Sequence, residues 1–433
     1  MIKEVAVMFE RLKTITLTVL VILSLILTYV LVYKTPQFEQ AVQSDYVQTE
    51  QADTLLELPQ LLQPRMIVAH LGTGAHTVFY PQTPEYDNMV DMWRQFSYGN
   101  LQKTDMTLAR FYETREQRLA MSIQFEQELE VETLQVLLNL TSEVELEPQP
   151  TFDVMFFAPN LLDNKMDVWL VSQSKGYVYK CMETDLTDTE FTEWMVNATL
   201  QPVYRTYGQR YFVPEQANKW PVYQVAYEKV EAASLWQRLF IDPNITRNLT
   251  ERDGTKIYTD GKRGLQIKNN GRYMLFSDPV AQQNYRGSAL ESMRSGVQFI
   301  NKHGGWSGEF LLRAMNVNET DGESVYEFRQ YFRSLPVVHR ADAWFGYTRL
   351  KMKSGIVSGY QRPMVELSAQ PKKVNDVSLV VGEALLLRLE ELQKTGPLRA
   401  FEAVYDVQWL DDGVRLTPAW AVQSNDGNWT LIQ

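Results

Sequence analysis

One stretch of the chain restricts its architecture more than any other. Residues 15–33 read ITLTVLVILSLILTYVLVY, 19 residues without a charge. At a helical rise of about 1.5 Å per residue this run covers roughly 28 Å, close to the ~30 Å hydrocarbon core of a bilayer. Lys3, Arg11 and Lys13 precede it, and Lys34 alone follows closely before Glu39, Asp45, Glu50 and Asp53. The positive-inside rule then predicts a cytoplasmic N-terminus over 1–13, a single transmembrane helix over 14–34, and an extracytoplasmic remainder held at the cell membrane. A cleaved leader fits the residues less well. The apolar run exceeds the usual h-region of about 7–15 residues, and the following YVLVYKTPQ lacks an A-x-A-like site.

Within the expected helix, Thr14, Thr18, Ser24 and Thr28 fall inside about 120° of arc. Hydroxyl side chains on one face let a second helix approach and hydrogen-bond across the contact, so these four form the candidate helix-contact face. The plainer alternative is that each hydroxyl bonds its own i−4 carbonyl and marks no partner.

The chain has 433 residues, 45% of them hydrophobic and 22% charged, which is globular rather than disordered composition. A net charge of −11 argues against nucleic acid as a partner, because phosphate binding needs basic patches. The one cysteine, Cys181, cannot form an intramolecular disulfide, so the folded part rests on its core. His70, His76, His303 and His339 show no metal-ligand spacing, and neither a metal nor a cofactor is expected.

The expected fold class is α+β: the membrane helix, then a three-domain ectodomain of antiparallel sheets with packed helices. A polar stalk over 35–62 leads into an N-terminal domain over 63–199, a central α+β domain over 200–286 and a C-terminal α+β domain over 287–433. In the first, TFDVMFFAP (151–159) reads as a strand, and 166–171 with 176–182 as a hairpin turning at Ser174-Lys175-Gly176. Thr187-x-x-Glu190 and Ser288-x-x-Glu291 have capping-box spacing and open helices. YEKVEAASLWQRLF (227–240) suggests an amphipathic helix. Residues 256–277 read as a three-stranded meander turning at Asp260-Gly261 and Asn270-Gly271. Strands are expected over 325–332, 344–352 and 356–367, and a helix over 381–392. Closing strands turn at Asp412-Gly413 and Asp426-Gly427. Trp306, Trp344, Trp409, Trp420 and Trp429 crowd the last third, where most should be core.

No catalytic constellation emerges. Ser172-x-x-Lys175 with Lys394-Thr395-Gly396 matches fragments of a serine acyl-transferase signature. That chemistry needs the serine at a helix start with the lysine one turn on. Here the first motif falls on a hairpin turn and the second ends a helix. Gly72-Thr-Gly74 is too short for a phosphate loop. Asp411-Asp412 and Glu390-Glu391 read as surface pairs.

The basic ERLKTITLTVLVILSLILT start, the polar stalk and the closing LTPAW and GNWTLIQ strands resemble the YycH (WalH) family of Gram-positive Firmicutes. The resemblance implies signal transduction: an accessory protein of the WalK/WalR (YycG/YycF) two-component system that controls cell-wall metabolism. It implies action with the shorter relative YycI and contact with the sensor histidine kinase through membrane helices. It also implies a three-domain ectodomain whose later domains are similar in fold to YycI, and it supplies no catalytic residue. Two other functions stay open on the residues alone: an extracytoplasmic sensor that binds cell-wall material, and a serine cell-wall acyl-transferase.

Overall fold

A computed structural model of the chain describes residues 11, 13, 16–24, 55–141, 149–160, 165–279, 287–318, 321–338, 345–424 and 429–432. The chain divides into two compact units, Met1–Val47 and Gln48–Gln433. In the first, residues 16–24 are helical.

The second unit is mixed α+β, built on two large, mostly antiparallel sheets. The first holds ten strands. In chain order they are β1 (Met66–Leu71), β2 (His76–Phe79), β3 (Ser97–Lys103), β4 (Leu119–Glu130) and β5 (Asn139–Thr141). They continue with β6 (Thr151–Pro159), β7 (Met166–Ser172), β8 (Tyr177–Thr184), β9 (Tyr204–Tyr207) and β10 (Tyr211–Pro214). Across the sheet the order is β10-β9-β2-β1-β4-β6-β7-β8-β3-β5. The expected hairpin is β7–β8, with Gly176 at φ 77° in its turn. The helices of this half are α1 (Leu58–Leu61), α2 (Pro84–Trp93), α3 (Leu108–Gln117), α4 (Val131–Leu137) and α5 (Asp188–Ala198). Thr187 and Glu190 form the expected capping box of α5.

The second sheet has fifteen strands. They open with β11 (Lys219–Lys229), β12 (Arg247–Thr250), β13 (Lys256–Thr259), β14 (Gly264–Lys268) and β15 (Tyr273–Ser277). Then come β16 (Glu309–Asn318), β17 (Glu323–Phe332), β18 (Leu335–Val338), β19 (Tyr347–Lys353) and β20 (Ile356–Pro363). β21 (Val365–Leu367), β22 (Lys372–Ser378), β23 (Leu398–Trp409), β24 (Gly413–Ser424) and β25 (Trp429–Ile432) complete it. Its helices are α6 (Ala232–Leu239), α7 (Ala289–Lys302) and α8 (Gly382–Thr395). Ser288 caps α7 through the expected box, and Gly396 follows α8.

Several expectations need correction. The segment 227–240 is not one helix. Its first three residues close β11, where they pair with β21, and only Ala232–Leu239 are helical. The meander over 256–277 gains a fourth strand, β12, whose Leu249 faces Ile257 of β13. Pairing is not wholly antiparallel: β3–β5 and β18–β23 run parallel. Gly413 lacks the positive φ expected of an Asp-Gly turn and instead opens β24. A Cβ there would collide with the Val225 carbonyl of β11, so glycine is needed for close approach. The turn at Asp426-Gly427 lies outside the described residues.

One apolar core runs from Leu56 and Trp93 through Met155 and Phe157 to Met293, Phe328 and Tyr360, so the two sheets share an interior. A second core gathers Tyr211, Val225, Leu385, Phe401 and Trp420 beneath α8. Trp306 and Trp420 are buried, as expected for core tryptophans, and Trp409 and Trp429 are half-buried. Trp344 lies outside the described residues.

Candidate functional site

Leu17, Val19, Leu20, Val21, Ile22 and Leu23 of the N-terminal helix are 49–66% exposed. Among the described residues no helix is long and apolar enough to cross a membrane. Thr18 and Ser24 lie on the described part of this helix, and each makes a polar or electrostatic interaction. Thr14 and Thr28, the other two residues of the expected contact face, lie outside the described residues.

Within the second unit, a cluster of buried charge lies where the two sheets meet. β4 breaks register with β6 between Gln124 and Leu129, an irregularity that releases Glu126 and Glu128 from the ladder. Glu126 is ion-paired with Arg313 of β16 and stands 4.0 Å from Arg65 Nη1. Arg313 Nη2 lies 3.5 Å from Glu402 Oε1 of β23, which also accepts from Arg329 Nη1 of β17 at 2.7 Å. Both guanidiniums lie over the Trp429 ring, at 5.1 and 4.9 Å from its centroid. Burial opposes ionisation of Glu402, but Arg313, Arg329 and Arg65 overcome it and hold its carboxyl below the ordinary carboxylate value. Arg329 is 1% exposed and Arg313 8%, so water screens the network poorly. It contains no nucleophile; its chemistry is to lock residues from both halves in one arrangement.

A second buried network shows in the hairpin that joins two of the histidines rather than in their spacing as metal ligands. β1 and β2 form a hairpin whose register sets His70 opposite His76. Their Nδ1 atoms are 2.8 Å apart, His70 Nε2 lies 2.9 Å from Ser122 Oγ, and His76 Nε2 lies 3.0 Å from Glu116 Oε2. Glu116 resists burial because Arg115 donates to it at 2.7 and 3.1 Å, and its carboxyl sits below the ordinary value. An ionised Glu116 accepts only, which fixes the tautomers: His76 donates to Glu116, His70 to His76, and Ser122 to His70. Burial first, then His76 and Arg115, keep the His70 imidazole neutral, well below its ordinary pKa. Among the described residues no group of three or more His, Cys, Asp or Glu is placed to hold a metal ion.

The acyl-transferase fragments come apart in space. Ser172 Oγ donates to Glu128 Oε1 at 2.6 Å, whereas Lys175 is exposed on the turn. Lys394 and Thr395 end α8. Backbone N–H groups of Thr73 and Gly74 donate to the Glu116 carbonyl at 3.1 and 3.0 Å, so that loop braces α3.

Comparison with known proteins follows this architecture. Residues 10–195 match the family model described as YycH protein, N-terminal domain, and residues 208–433 the one described as YycH protein, C-terminal domain. The two-component system WalR/WalK regulatory protein YycH of Bacillus subtilis (strain 168) is 21% identical over an alignment of 445 residues. That alignment spans 96% of this chain and 95% of that protein. The crystal structure of YycH from Bacillus subtilis matches with a TM-score of 0.72 at 17% identity. It covers 89% of this chain and 99% of that one, a likeness of fold. The two family models together take in strands of both sheets and the end of the chain, and on that match this chain belongs to the YycH family.

Proposed function

We propose that this chain regulates the WalR/WalK two-component system and does so as a single-pass membrane protein. The observation that carries the reading is near-full-length correspondence with a relative that bears that regulatory name. In this account residues 14–34 span the cell membrane with the N-terminus cytoplasmic, and the helix packs against membrane helices of the sensor kinase WalK (YycG). The exposed apolar side chains of residues 16–24 support a lipid or helix environment. The extracytoplasmic part acts with YycI. Its division into 63–199, 200–286 and 287–433, the last similar in fold to YycI, belongs to the same proposal. A coupling of only about 1–3 kcal/mol between this protein and the kinase would change its output roughly 5–150-fold.

Co-purification of the kinase from membranes tests the contact face. Wild type is expected to retain the kinase, and the double variant Thr18→Leu/Ser24→Leu to lose most of it. Equal recovery, with equal signalling, removes the face. A second reading, a sensor of envelope material, draws support from a polar cleft between the sheets.

A further inference from the structure

The cleft opens beside the buried ionic network. Its wall includes Arg65, ahead of β1, Asp153 of β6, and Arg210, just ahead of β10, on the side of the first sheet. Arg399 of β23 closes it from the second sheet. The cavity measures about 80 Å³, room for several waters or one phosphate-sized group. A smaller cavity of about 30 Å³ shares Arg65 and Arg210.

The charges around this cleft are unevenly matched. Three guanidiniums face two carboxylates, Glu126 and Asp153. Glu126 is already ion-paired with Arg313 and lies near Arg65. Arg65 Nη2 donates only to the neutral Gln124 Oε1, at 3.4 Å, and its buried Nε has no hydrogen-bond partner. Arg210 Nε donates to the neutral Gln173 Oε1 at 3.3 Å. Arg399 is exposed, and among the described residues it has neither an acid nor a hydrogen-bond partner. Three guanidiniums from separate segments converge on a cavity whose two carboxylates are either shared with Arg313, as Glu126 is, or raised in pKa by burial, as Asp153 is, and that excess of positive charge suits a planar or tetrahedral oxyanion.

We propose that this cleft binds a small oxyanion, a phosphate ester or a carboxylate, held by Arg65 and Arg210 from one sheet and Arg399 from the other. The ligand would bridge the two halves and stabilise their present arrangement. Asp153 adds a signature to this site. It accepts from the Gln173 N–H at 2.9 Å, and burial pushes its carboxyl up to about 6. Glu128 of β4 reinforces that rise, Arg210 opposes it, and the neutral Tyr112 of α3 and the charged cleft residues Glu126, Arg65 and Arg399 are its other titratable neighbours. Once protonated, Asp153 no longer repels the ligand, so binding strengthens as pH falls through about 6.

Calorimetric titration of the purified full chain with inorganic phosphate, glycerol phosphate and acetate at constant ionic strength tests the site, and needs no kinase. Saturable binding of at least one anion is expected, tighter at pH 5.5 than at 7.5. Arg399→Ala, an exposed change that spares the core, should weaken it about tenfold or more. Asp153→Asn should strengthen binding at pH 7.5 and flatten its pH dependence. Vesicles of phosphatidylglycerol, retained by wild type but not by Arg399→Ala, would assign the anion to a lipid headgroup. No saturable binding by any probe, or binding unchanged in both variants, overturns the proposal. Failure here leaves the kinase reading standing, and loss of the kinase reading leaves this site standing.

Discussion

Replacing Glu402 by Gln removes the carboxylate that Arg313 and Arg329 share. Arg313 keeps Glu126, but Arg329, 1% exposed, is left as a buried guanidinium without an acid. Removing one partner of a buried ion pair costs about 3–5 kcal/mol, most of it the stranded charge rather than the lost bond. At roughly 2.1 cal/mol/K per residue, a unit the size of Gln48–Gln433 melts with an entropy of about 0.8 kcal/mol/K. The expected fall in Tm is therefore about 4–6 °C by circular dichroism. Arg329→Met in the same background removes the stranded charge and should recover a good part of the loss, a positive coupling in the double-mutant cycle. A shift below about 1 °C, or additive single and double variants, would refute the idea that buried charge holds the two halves together.

Four further outcomes follow from the same structure. Gly413→Ala pushes a Cβ into the Val225 carbonyl, and should cost more than the roughly 1 kcal/mol of a typical point substitution, read as a lowered Tm. Ser172→Ala deprives Glu128 of one of its hydroxyl donors and should destabilise by about 1.5–3 kcal/mol in urea unfolding. The wild-type chain should take no label from a fluorescent β-lactam, and labelling at Ser172 would revive the acyl-transferase reading. The fourth outcome concerns pH. His70 is held neutral in the fold, whereas the unfolded imidazole takes a proton near its ordinary value of 6.5. The unfolded state thus binds more protons below that value, and stability should fall as pH drops from 7.5 to 5.5. Asp153, raised to about 6, works in the opposite direction, so the comparison that isolates the histidine is His70→Gln, whose melting should vary less with pH.

Local chemistry carried much of the fold in readable form. Capping boxes at Thr187 and Ser288 opened the helices they promised, because a cap is satisfied within four residues. Asn270 and Gly271 adopt the left-handed φ values that their turn requires. The alternation in Tyr347–Lys353 buries Thr348, Leu350 and Met352 and leaves Arg349 and Lys351 outside. Residues 227–229 misled because their strand character comes from a partner far along the chain, β21. Long-range pairing hid the rest as well. Glu126 and Glu402 meet across the sheet junction from opposite ends of the sequence. Nothing local announces Arg65, Arg210 and Arg399 as neighbours. His70 and His76 could have been paired in advance: Gly72 and Gly74 between them signal a tight hairpin, and its register brings the rings together.

The central claim is that this chain changes the output of a WalR/WalK pair through its N-terminal helix. Phosphorylation of the response regulator should be measured in cells lacking the protein, and in cells restored either with the wild-type chain or with residues 14–34 replaced by an unrelated apolar span. The account predicts that the wild-type chain shifts phosphorylation away from the null level, while the helix-swapped chain, present in equal amount, leaves it there. Identical phosphorylation with and without the wild-type chain would contradict the regulatory assignment, and full function of the swapped chain would contradict the route through the helix.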